Sequence, residues 1–411
     1  MPVRLLPRVD RVPSPMARLT ARGLLPFFAV LTACTAPAQQ PAAKAGLAPA
    51  VAAPVKVAAT KAEPPKAEPA PVRASPTRPA MPELWAVTRL RNIDYVSVRD
   101  IAQRLGLKPA WTKAEQRMTL SDARGVRFAF ESNQSDFYFD GMRVFLGRPV
   151  LLHKDSLWVS LLDVMKLVAP LFRPADHLAL LPVTAPRTIV IDPGHGGIDP
   201  GKENRRLGLN EKTFTLDVAL RMRKILELRG WRVLLVRDKD VELSKDKKAD
   251  LLLRDDFANR NKADLFLSIH FNSAERATGF ETYTLAPQFM FSTGDDSGDD
   301  MTKVAFPGNR SDYANLLLGE QVHRALITGL KTPDRGFKRA RLAVLRMLDC
   351  PGVLAECAFL SNDAEARRVA TPEFRQQIAE SLATGVQNYA DTLAALRAPP
   401  PSPSIEATKS K

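Results

Sequence analysis

In the second half of the chain, continuous apolar runs typical of buried strands alternate with apolar residues at helical spacing. This pattern predicts alternating strands and helices. Residues 188–191 form an apolar run typical of a buried strand, and apolar residues at helical spacing follow from about residue 210 to 229, ending at Gly230. This order predicts an α/β domain over 187–395, with a mostly parallel sheet flanked by helices and with functional residues at the carboxyl ends of its strands. Further strands are predicted at 231–236, 265–270, 342–346 and 352–357, and further helices near 250–262, 313–330 and 373–394.

Residues 82–185 carry a second pattern, in which a strand followed by a short helix occurs twice. In each copy a serine, Ser97 or Ser160, stands three residues before an aspartate, as at a capped helix start. Strands are predicted between the copies at 116–120, 126–130 and 136–146, and the signal Asp140-Gly141 turns the last of them into a hairpin. This region is therefore predicted to be a small α+β domain.

The same region resembles the copper amine oxidase N-terminal-like domain of bacterial envelope proteins. The resemblance covers about one hundred residues and depends on the repeated strand–helix pattern. His153 and His177 stand alone in the sequence, so we interpret them as surface or packing residues and expect no metal cluster here. A binding or spacing module is the function that this resemblance implies.

Residues 1–34 have the features of a lipoprotein-type signal peptide. Arg18 and Arg22 precede the apolar run 24–31, which is too short to span a bilayer and is followed by small residues. The stretch 31–34 resembles a bacterial lipobox, which implies that Cys34 carries a lipid and that the protein is exported and anchored to a membrane of the cell envelope or periplasm. Plain signal cleavage near Ala33 is the alternative.

Two further segments are predicted to be disordered. Residues 35–81 are dominated by Ala, Pro and Lys and show no periodicity, so they form a linker between anchor and domain. The tail 396–411 is rich in Pro, Ser and Lys and is interpreted in the same way.

The net charge of +14 does not by itself indicate a nucleic-acid partner. Residues 1–80 hold eleven Lys and Arg against three Asp and Glu, so +8 of that charge lies in the N-terminal segment. A solvated basic tail beside an anionic lipid surface or cell wall explains the charge better than a DNA-binding face. We therefore expect a membrane and a wall polymer as partners, and no nucleic acid.

Four side chains that bind metals or transfer protons occur where an α/β fold would gather them. His195 follows the first strand in the glycine-rich stretch 192–197, Glu211 opens the next helix, and His270 ends a later strand. Two imidazoles and one carboxylate, with a fourth position left for water, are the ligand set of a catalytic zinc site. Glu356 lies in an otherwise apolar strand, where a carboxylate is costly to bury, so it indicates either an ion pair or a general base.

The cysteines indicate neither a disulfide framework nor a structural zinc site. Cys350 and Cys357 flank a predicted strand, whose extended backbone holds them too far apart for a disulfide. Both are therefore predicted to be free thiols.

Around these residues the sequence resembles the zinc-dependent N-acetylmuramoyl-L-alanine amidases of the amidase 3 type. The resemblance implies zinc bound by His195, Glu211 and His270, with Glu356 as the catalytic carboxylate. It also implies hydrolysis of the amide between N-acetylmuramic acid and L-alanine in peptidoglycan, during wall turnover or daughter-cell separation. The matching stretches, in the family's order, are 192–197, 210–212, 260–264, 268–273, 335–338 and 354–362.

Several details stay open at this point. Asn272 and Arg346 are candidates for substrate contacts, with structural roles as the alternative, and an activator protein is an open partner. Phe271 and the pair Cys357-Ala358 depart from the family's pattern, in ways that affect the shape of the pocket and leave the ligands unchanged. Segment 286–312 is longer than a minimal member needs, and its composition predicts a loop that lines the groove or, as we favour, a solvated insertion.

Two other functions compete with this interpretation. One is a zinc carboxypeptidase that cuts within the stem peptide, although the sequence lacks the His-Glu-x-x-His helix of the common zinc endopeptidases. The other is a wall-binding lipoprotein with an inactive amidase fold. The presence of all three ligands and of Glu356 argues against it.

Overall fold

The structure is a computed structural model that describes residues 85–274, 276–294 and 300–398. The predicted signal peptide with Cys34, the linker 35–81 and most of the predicted tail lie outside the described residues. Within the part of the chain that is described, no helix is both long and apolar enough to cross a membrane.

Residues 85–185 fold into short strands and helices. The strands are β1 (Val87–Leu90), β2 (Ile93–Ser97), β3 (Lys108–Lys113), β4 (Arg117–Asp122), β5 (Gly125–Glu131), β6 (Asp136–Phe139), β7 (Met142–Phe145), β8 (Leu151–His153) and β9 (Ser156–Ser160). The helices are α1 (Val98–Leu105), α2 (Leu161–Asp163) and α3 (Ala169–Phe172), with a π-helical turn at Val164–Val168 and a 3₁₀ helix at Pro174–Leu180.

From residue 187 onward the chain alternates longer strands and helices. The strands are β10 (Thr188–Pro193), β11 (Glu203–Asn204), β12 (Leu209–Asn210), β13 (Arg232–Leu235), β14 (Leu265–Asn272), β15 (Phe280–Leu285), β16 (Asp334–Ala340) and β17 (Gly352–Phe359). The helices are α4 (Glu211–Leu228), α5 (Lys247–Arg260), α6 (Asp312–Leu330), α7 (Ala343–Arg346), α8 (Asp363–Val369) and α9 (Pro372–Arg397), with 3₁₀ turns at Asp300–Lys303 and Pro307–Ser311.

Eleven of the described strands form one mixed sheet, in the order β13-β10-β14-β17-β15-β16-β7-β6-β5-β4-β3. The predicted mostly parallel sheet is not confirmed for this sheet as a whole. Strands β13, β10, β14 and β17 are parallel to one another, but β15 is antiparallel to β17, and β7 to β3 form an antiparallel meander. The reversal at β15 follows from its short connection to β14, since a parallel neighbour needs a long crossover.

The sheet is covered on both faces where the apolar run of the sequence predicts it. Ile189 and Ile191 pack toward α4, α6 and α9, whereas Val190 between them packs toward α5 and α7. Because both faces of β10 are buried, its sequence is a continuous hydrophobic run and does not alternate between apolar and polar residues. Toward β3, the core contains aromatic residues of β5 and β6, and it also contains Phe337 of β16 and Leu316 of α6, so the two sequence regions share apolar contacts.

Local signals in the sequence correspond well to the structure. The side chains of Ser97 and Ser160 accept hydrogen bonds from the backbone N–H groups three residues on, as predicted for helix caps. Asp140 and Gly141 both have positive φ at the tip of the β6–β7 hairpin, which is the conformation that this turn requires. Gly230 follows the end of α4 with φ 83°, and Cys350 and Cys357 are buried free thiols.

Two expectations about local structure are wrong. The predicted strand at 342–346 is instead the helix α7 (Ala343–Arg346), in which Val344 and Leu345 are both buried in the same core cluster. A short apolar run does not by itself distinguish a strand from a helix. Segment 286–312 is not simply solvated where it is described. Met290 is 2% exposed within the core beside β7, and the Arg148 guanidinium lies 4.0 Å from the centre of the Phe291 ring.

Candidate metal centre

Three side chains from separate elements meet at the carboxyl ends of β10 and β14. His195 lies two residues beyond β10, Glu211 is the first residue of α4, and His270 lies near the end of β14. One potential ligand atom from each lies within 4.8 Å of the others, so the group could hold a metal ion. No second group of this kind occurs in the part of the chain that the structure describes. The two imidazole rings are 4.9 Å apart and nearly perpendicular.

The Glu211 carboxylate bridges the two histidines. Its Oε2 lies 3.1 Å from Nε2 of His195, and its Oε1 lies 3.0 Å from Nδ1 of His270. The same oxygens accept backbone hydrogen bonds from Lys202 (2.7 Å) and Phe271 (2.9 Å). Burial alone would raise the pKa of Glu211, but its contacts with His195 and His270 outweigh burial and hold the pKa well below its ordinary value. Glu211 is therefore held as an ionised carboxylate between the two imidazole rings.

A second carboxylate orients His195. Asp199 lies 3.0 Å from Nδ1 of His195, and its other oxygen accepts the backbone N–H of Gly201. When Nδ1–H donates to this carboxylate, the lone pair of Nε2 is left free to act as a ligand. Close approach also needs glycine here, since a Cβ at Gly194 would lie 2.3 Å from the His270 ring and one at Gly201 would lie 2.6 Å from Glu211.

The loop that carries His195 is held from beneath by two buried arginines. Arg254 of α5 pairs with Asp192 at 2.6 Å and with Asp250 at 2.8 Å, and it donates to the carbonyl oxygen of His195 at 3.0 Å. Arg237 donates to the carbonyl oxygens of Pro193 and Gly194 at 3.0 Å each. Both arginines are 3% exposed. The charge of Arg254 is compensated by its two acids, whereas Arg237 donates to backbone carbonyl oxygens and burial lowers its pKa to about 10.

Glu356 lies beside the group on the neighbouring strand. It is the register partner of His270 across the β14–β17 pair, and its Oε2 is buried without a hydrogen-bond partner in the protein. Burial, followed by the negative charges of Glu211 and Glu281, raises the pKa of Glu356 well above its ordinary value. An unpartnered carboxylate oxygen in such surroundings is costly unless another group uses it, so the position is typical of a functional acid or base.

A third acid, Glu281 of β15, organises the other side of the site. It is the register partner of Glu356 on the opposite edge of β17 and is 3% exposed. Its carboxylate accepts hydrogen bonds from Asn272 at 3.0 Å and from the Tyr283 hydroxyl at 2.6 Å. It also pairs with two cations, Arg335 at 2.9 Å and Lys338 at 2.7 Å.

The structure thus brings together five of the six residues singled out in the sequence. His195, Glu211, His270 and Glu356 form the centre, and Asn272 is linked to it through Glu281. Arg346 lies elsewhere, in α7 beyond the end of β16, and α7 packs near Gly352 at the start of β17, away from Glu356. Its Nε donates to the carbonyl oxygen of Arg341, and its guanidinium lies 5.4 Å from the centre of the Phe306 ring.

Sequence reasoning missed four residues of this site. Asp199 could have been found, because it stands four residues after His195 in the same glycine-rich loop. Glu281 gives a weaker signal than Glu356, because its strand also contains Thr282 and Thr284 and is not an apolar run. Arg237 and Arg254 give no local signal, because their role depends on contacts with residues about 40 to 60 positions away.

The fold and the site define an α/β protein with a His–Glu–His centre at the carboxyl ends of its strands. Residues 189–388 match the Amidase_3 family, described as N-acetylmuramoyl-L-alanine amidase. The chain is 35% identical over 207 residues to an uncharacterised cell wall amidase of Bacillus anthracis, over 49% of this chain and 35% of that protein. It is 34% identical over 227 residues to the N-acetylmuramoyl-L-alanine amidase AmiC of Neisseria meningitidis serogroup B, over 50% and 53%.

A third relative is covered over more of its length. The N-acetylmuramoyl-L-alanine amidase AmiA of Escherichia coli K12 is 30% identical over 226 residues, which are 49% of this chain and 76% of that protein. The chain spans only about a third of the Bacillus anthracis protein and about half of the Neisseria protein. It belongs to the N-acetylmuramoyl-L-alanine amidase family of the Amidase_3 type.

The buried ion pair beneath the His195 loop gives a first prediction. Arg254→Met should lower the free energy of unfolding by about 3–5 kcal/mol, because it leaves the buried charges of Asp192 and Asp250 uncompensated. Arg260→Met is the matched control. Arg260 lies on the same helix and pairs with an acid four residues earlier, but its side chain is 65% exposed, so we expect a change below about 1 kcal/mol. Urea unfolding measures the free energy of unfolding of both variants. Equal losses of stability would contradict the role of Arg254 in compensating the buried acids.

Proposed function

We propose that the protein is a zinc-dependent hydrolase that cleaves the amide between N-acetylmuramic acid and L-alanine in peptidoglycan. The observation that carries the proposal is the unpartnered Oε2 of Glu356, one strand from His270 and beside the His195–Glu211–His270 group. Family membership supports the bond that is cleaved, and the geometry supports a hydrolysis that needs both a metal and a proton-transfer group.

The donor set fits zinc. Two imidazoles and one carboxylate are the ligands of zinc hydrolases, in which the fourth position is left for water or substrate. The Asp199 carboxylate on the far nitrogen of His195 is the outer partner that zinc-bound histidines commonly have. No described cysteine belongs to the group, which favours a catalytic site over a structural one.

The chemistry is divided between the metal and the chain. Zinc, when bound, supplies the Lewis acidity that polarises water and the amide carbonyl, and its charge lowers the pKa of nearby acids. Glu356 is placed to take the proton of the attacking water at Oε2 and to return it to the leaving nitrogen of L-alanine. Glu281 keeps Asn272, Arg335 and Lys338 at the rim, where their polar groups are placed to orient the substrate.

The products identify the bond that is cut. Purified wall digested with the full chain should give intact stem peptides and glycan strands without peptides, and chelation of the metal should stop the reaction, with recovery on addition of zinc. Mass spectrometry of the digest measures this. Shortened stem peptides that remain attached to glycan would instead indicate a carboxypeptidase, and no digestion in the presence of zinc would indicate a wall-binding protein with an inactive fold.

Two variants separate metal binding from proton transfer. His270→Ala should lose both zinc and activity, because one of three ligands is removed. Glu356→Gln should retain zinc and fold while kcat falls about 10²–10⁴-fold, the usual contribution of a positioned acid–base group. The zinc content of each variant, measured by elemental mass spectrometry, and its turnover of wall fragments distinguish metal binding from proton transfer. Full zinc content in His270→Ala, or near-normal turnover in Glu356→Gln, would overturn the respective role.

We also propose that the protein is exported and that Cys34 carries a lipid, on the basis of the lipobox-like stretch 31–34. Labelled palmitate should then enter the wild-type protein and should be absent from Cys34→Ser. About forty-five linker residues give a root-mean-square reach of roughly 35–40 Å, so the linker would let the domain reach wall near the membrane. Removal of residues 41–78 should reduce activity on intact wall and preserve activity on soluble fragments. Equal loss on both substrates would argue against a tether.

A further inference from the structure

On the side of the metal centre that leads toward β3, one face of the sheet carries side chains that are exposed among the described residues, such as Tyr138 and Arg117. From β15 to β4 every second residue points into the core beside α6 and α1, as Thr282, Phe337, Val144 and Phe128 do. The residues between them lie on the opposite face and are mostly polar. We call this surface the open face. It is formed by Glu281, Tyr283, Lys338, Arg143, Phe145, Asp136, Tyr138, Ala129, Glu131, Thr119 and Arg117.

An unbroken series of contacts joins this face to the catalytic side of the sheet. Glu281, the register partner of Glu356, binds Lys338, whose ammonium lies 5.2 Å from the centre of the Phe145 ring. The Arg143 guanidinium lies 4.7 Å from the centre of the same ring and pairs with Asp136 at 2.6 Å. The face is therefore one continuous surface from β17 to β6.

The far end of the face contains a hollow of about 320 Å³ lined by Arg117, Glu131, Gln134, Asp136, Tyr138 and Arg143. Tyr138 is 43% exposed there and offers both a ring face and a hydroxyl. The hollow has the mixture of apolar and hydrogen-bonding groups that a polar, peptide-like ligand requires.

The charged side chains on this face differ in their exposure to solvent. In two of the ion pairs the acid is much less exposed than its cation: the Glu281 side chain is 3% exposed against 39% for Arg335, and Asp136 is 11% exposed against 35% for Arg143. Lys338, the other cation bound to Glu281, is 13% exposed. Arg117 is exposed at the edge of the hollow, where Glu131 is already bound by the Gln116 amide. A ligand can therefore contact the partly exposed guanidinium groups of Arg335, Arg143 and Arg117, and guanidinium groups bind carboxylates in a bidentate manner.

We propose that the open face binds the carboxylate-bearing stem peptides of a peptidoglycan chain while the metal centre holds the amide to be cut. This inference rests on the proposed function and adds to it a second contact region for the same polymer. Strand β6 lies four strands from β17, or about 19 Å at the usual strand spacing. That span is roughly six extended residues, so only a large substrate can contact both regions at once.

The test compares a polymer with a fragment that is too short to reach the hollow. The substrates are soluble uncross-linked peptidoglycan chains and N-acetylmuramoyl-dipeptide, and the enzyme is the full chain loaded with zinc. In Arg117→Gln/Arg143→Gln the ratio of kcat/KM on polymer to kcat/KM on fragment should fall about 5-fold or more, as expected for two partly exposed charge contacts. The fall in this ratio should come from a higher KM for the polymer.

Controls separate binding from folding. Arg89→Gln replaces an exposed arginine of β1, which belongs to a different sheet, and should leave the ratio unchanged. Arg117→Gln alone leaves the Arg143–Asp136 pair intact and should give part of the effect. Thermal unfolding of each variant checks the fold. An unchanged ratio in a folded double variant overturns the inference, whereas a parent chain that cleaves neither substrate overturns the proposed function.

Chemical modification of the polymer tests whether its carboxylates are the groups that the open face binds. Conversion of the stem-peptide carboxylates to amides should raise the polymer KM of the parent by a factor similar to that of the double variant, and should not raise the KM of the double variant further. If the two effects multiply instead, the arginines recognise another feature of the polymer, and the assignment to carboxylates is wrong.

Discussion

The carboxylate of Glu211 is the interaction on which the rest of the site depends. It is nearly fully buried, so its charge needs favourable contacts with neighbouring groups, and His195, His270 and two backbone N–H groups contact it from three different segments. One charged group thereby fixes the loop after β10, the start of α4 and the end of β14 relative to one another. A helix N-terminus is also where a negative side chain is favoured by the helix dipole.

This arrangement requires unusually close approach around Glu211, which explains much of the local sequence. Gly194 and Gly201 leave no side chain where the His270 ring and the Glu211 carboxylate lie. His195 itself has φ 63°, a left-handed conformation that is uncommon for residues other than glycine. The carbonyl groups that turn inward in such a loop need donors, and Arg237 and Arg254 supply them from below. The strained backbone of the loop is therefore stabilised by the hydrogen bonds of the two buried arginines.

The sequence allowed prediction of what depends on local pattern and on single costly residues. The long helices α4, α5, α6 and α9, the caps at Ser97 and Ser160 and the grouping of His195, Glu211 and His270 follow from periodicity and from strand ends. Glu281 was missed because Thr282 and Thr284 interrupt the apolar pattern of its strand, which was not predicted. The cations that pair with Glu281 are also more than fifty residues away. The mixed character of the sheet was missed because β15, which is antiparallel to β17, was not predicted. The antiparallel meander also joins the sheet through the pairing of β7 with β16, a long-range contact that periodicity does not encode.

The joining of β7 to β16 has a physical reason of its own. Without β7, β16 would be an exposed edge of a large sheet, and such edges are prone to pair with other chains. The strand contact itself is short, with the single register pair Val144 and Phe337, but it is reinforced on both sides. Asp334 accepts the backbone N–H of Arg143 and is held by the buried His323, and Phe337 packs into the core of the first region. An edge protected in this way also keeps the face around Arg143 at a fixed distance from Glu356, which a flexible connection between the two regions would not do.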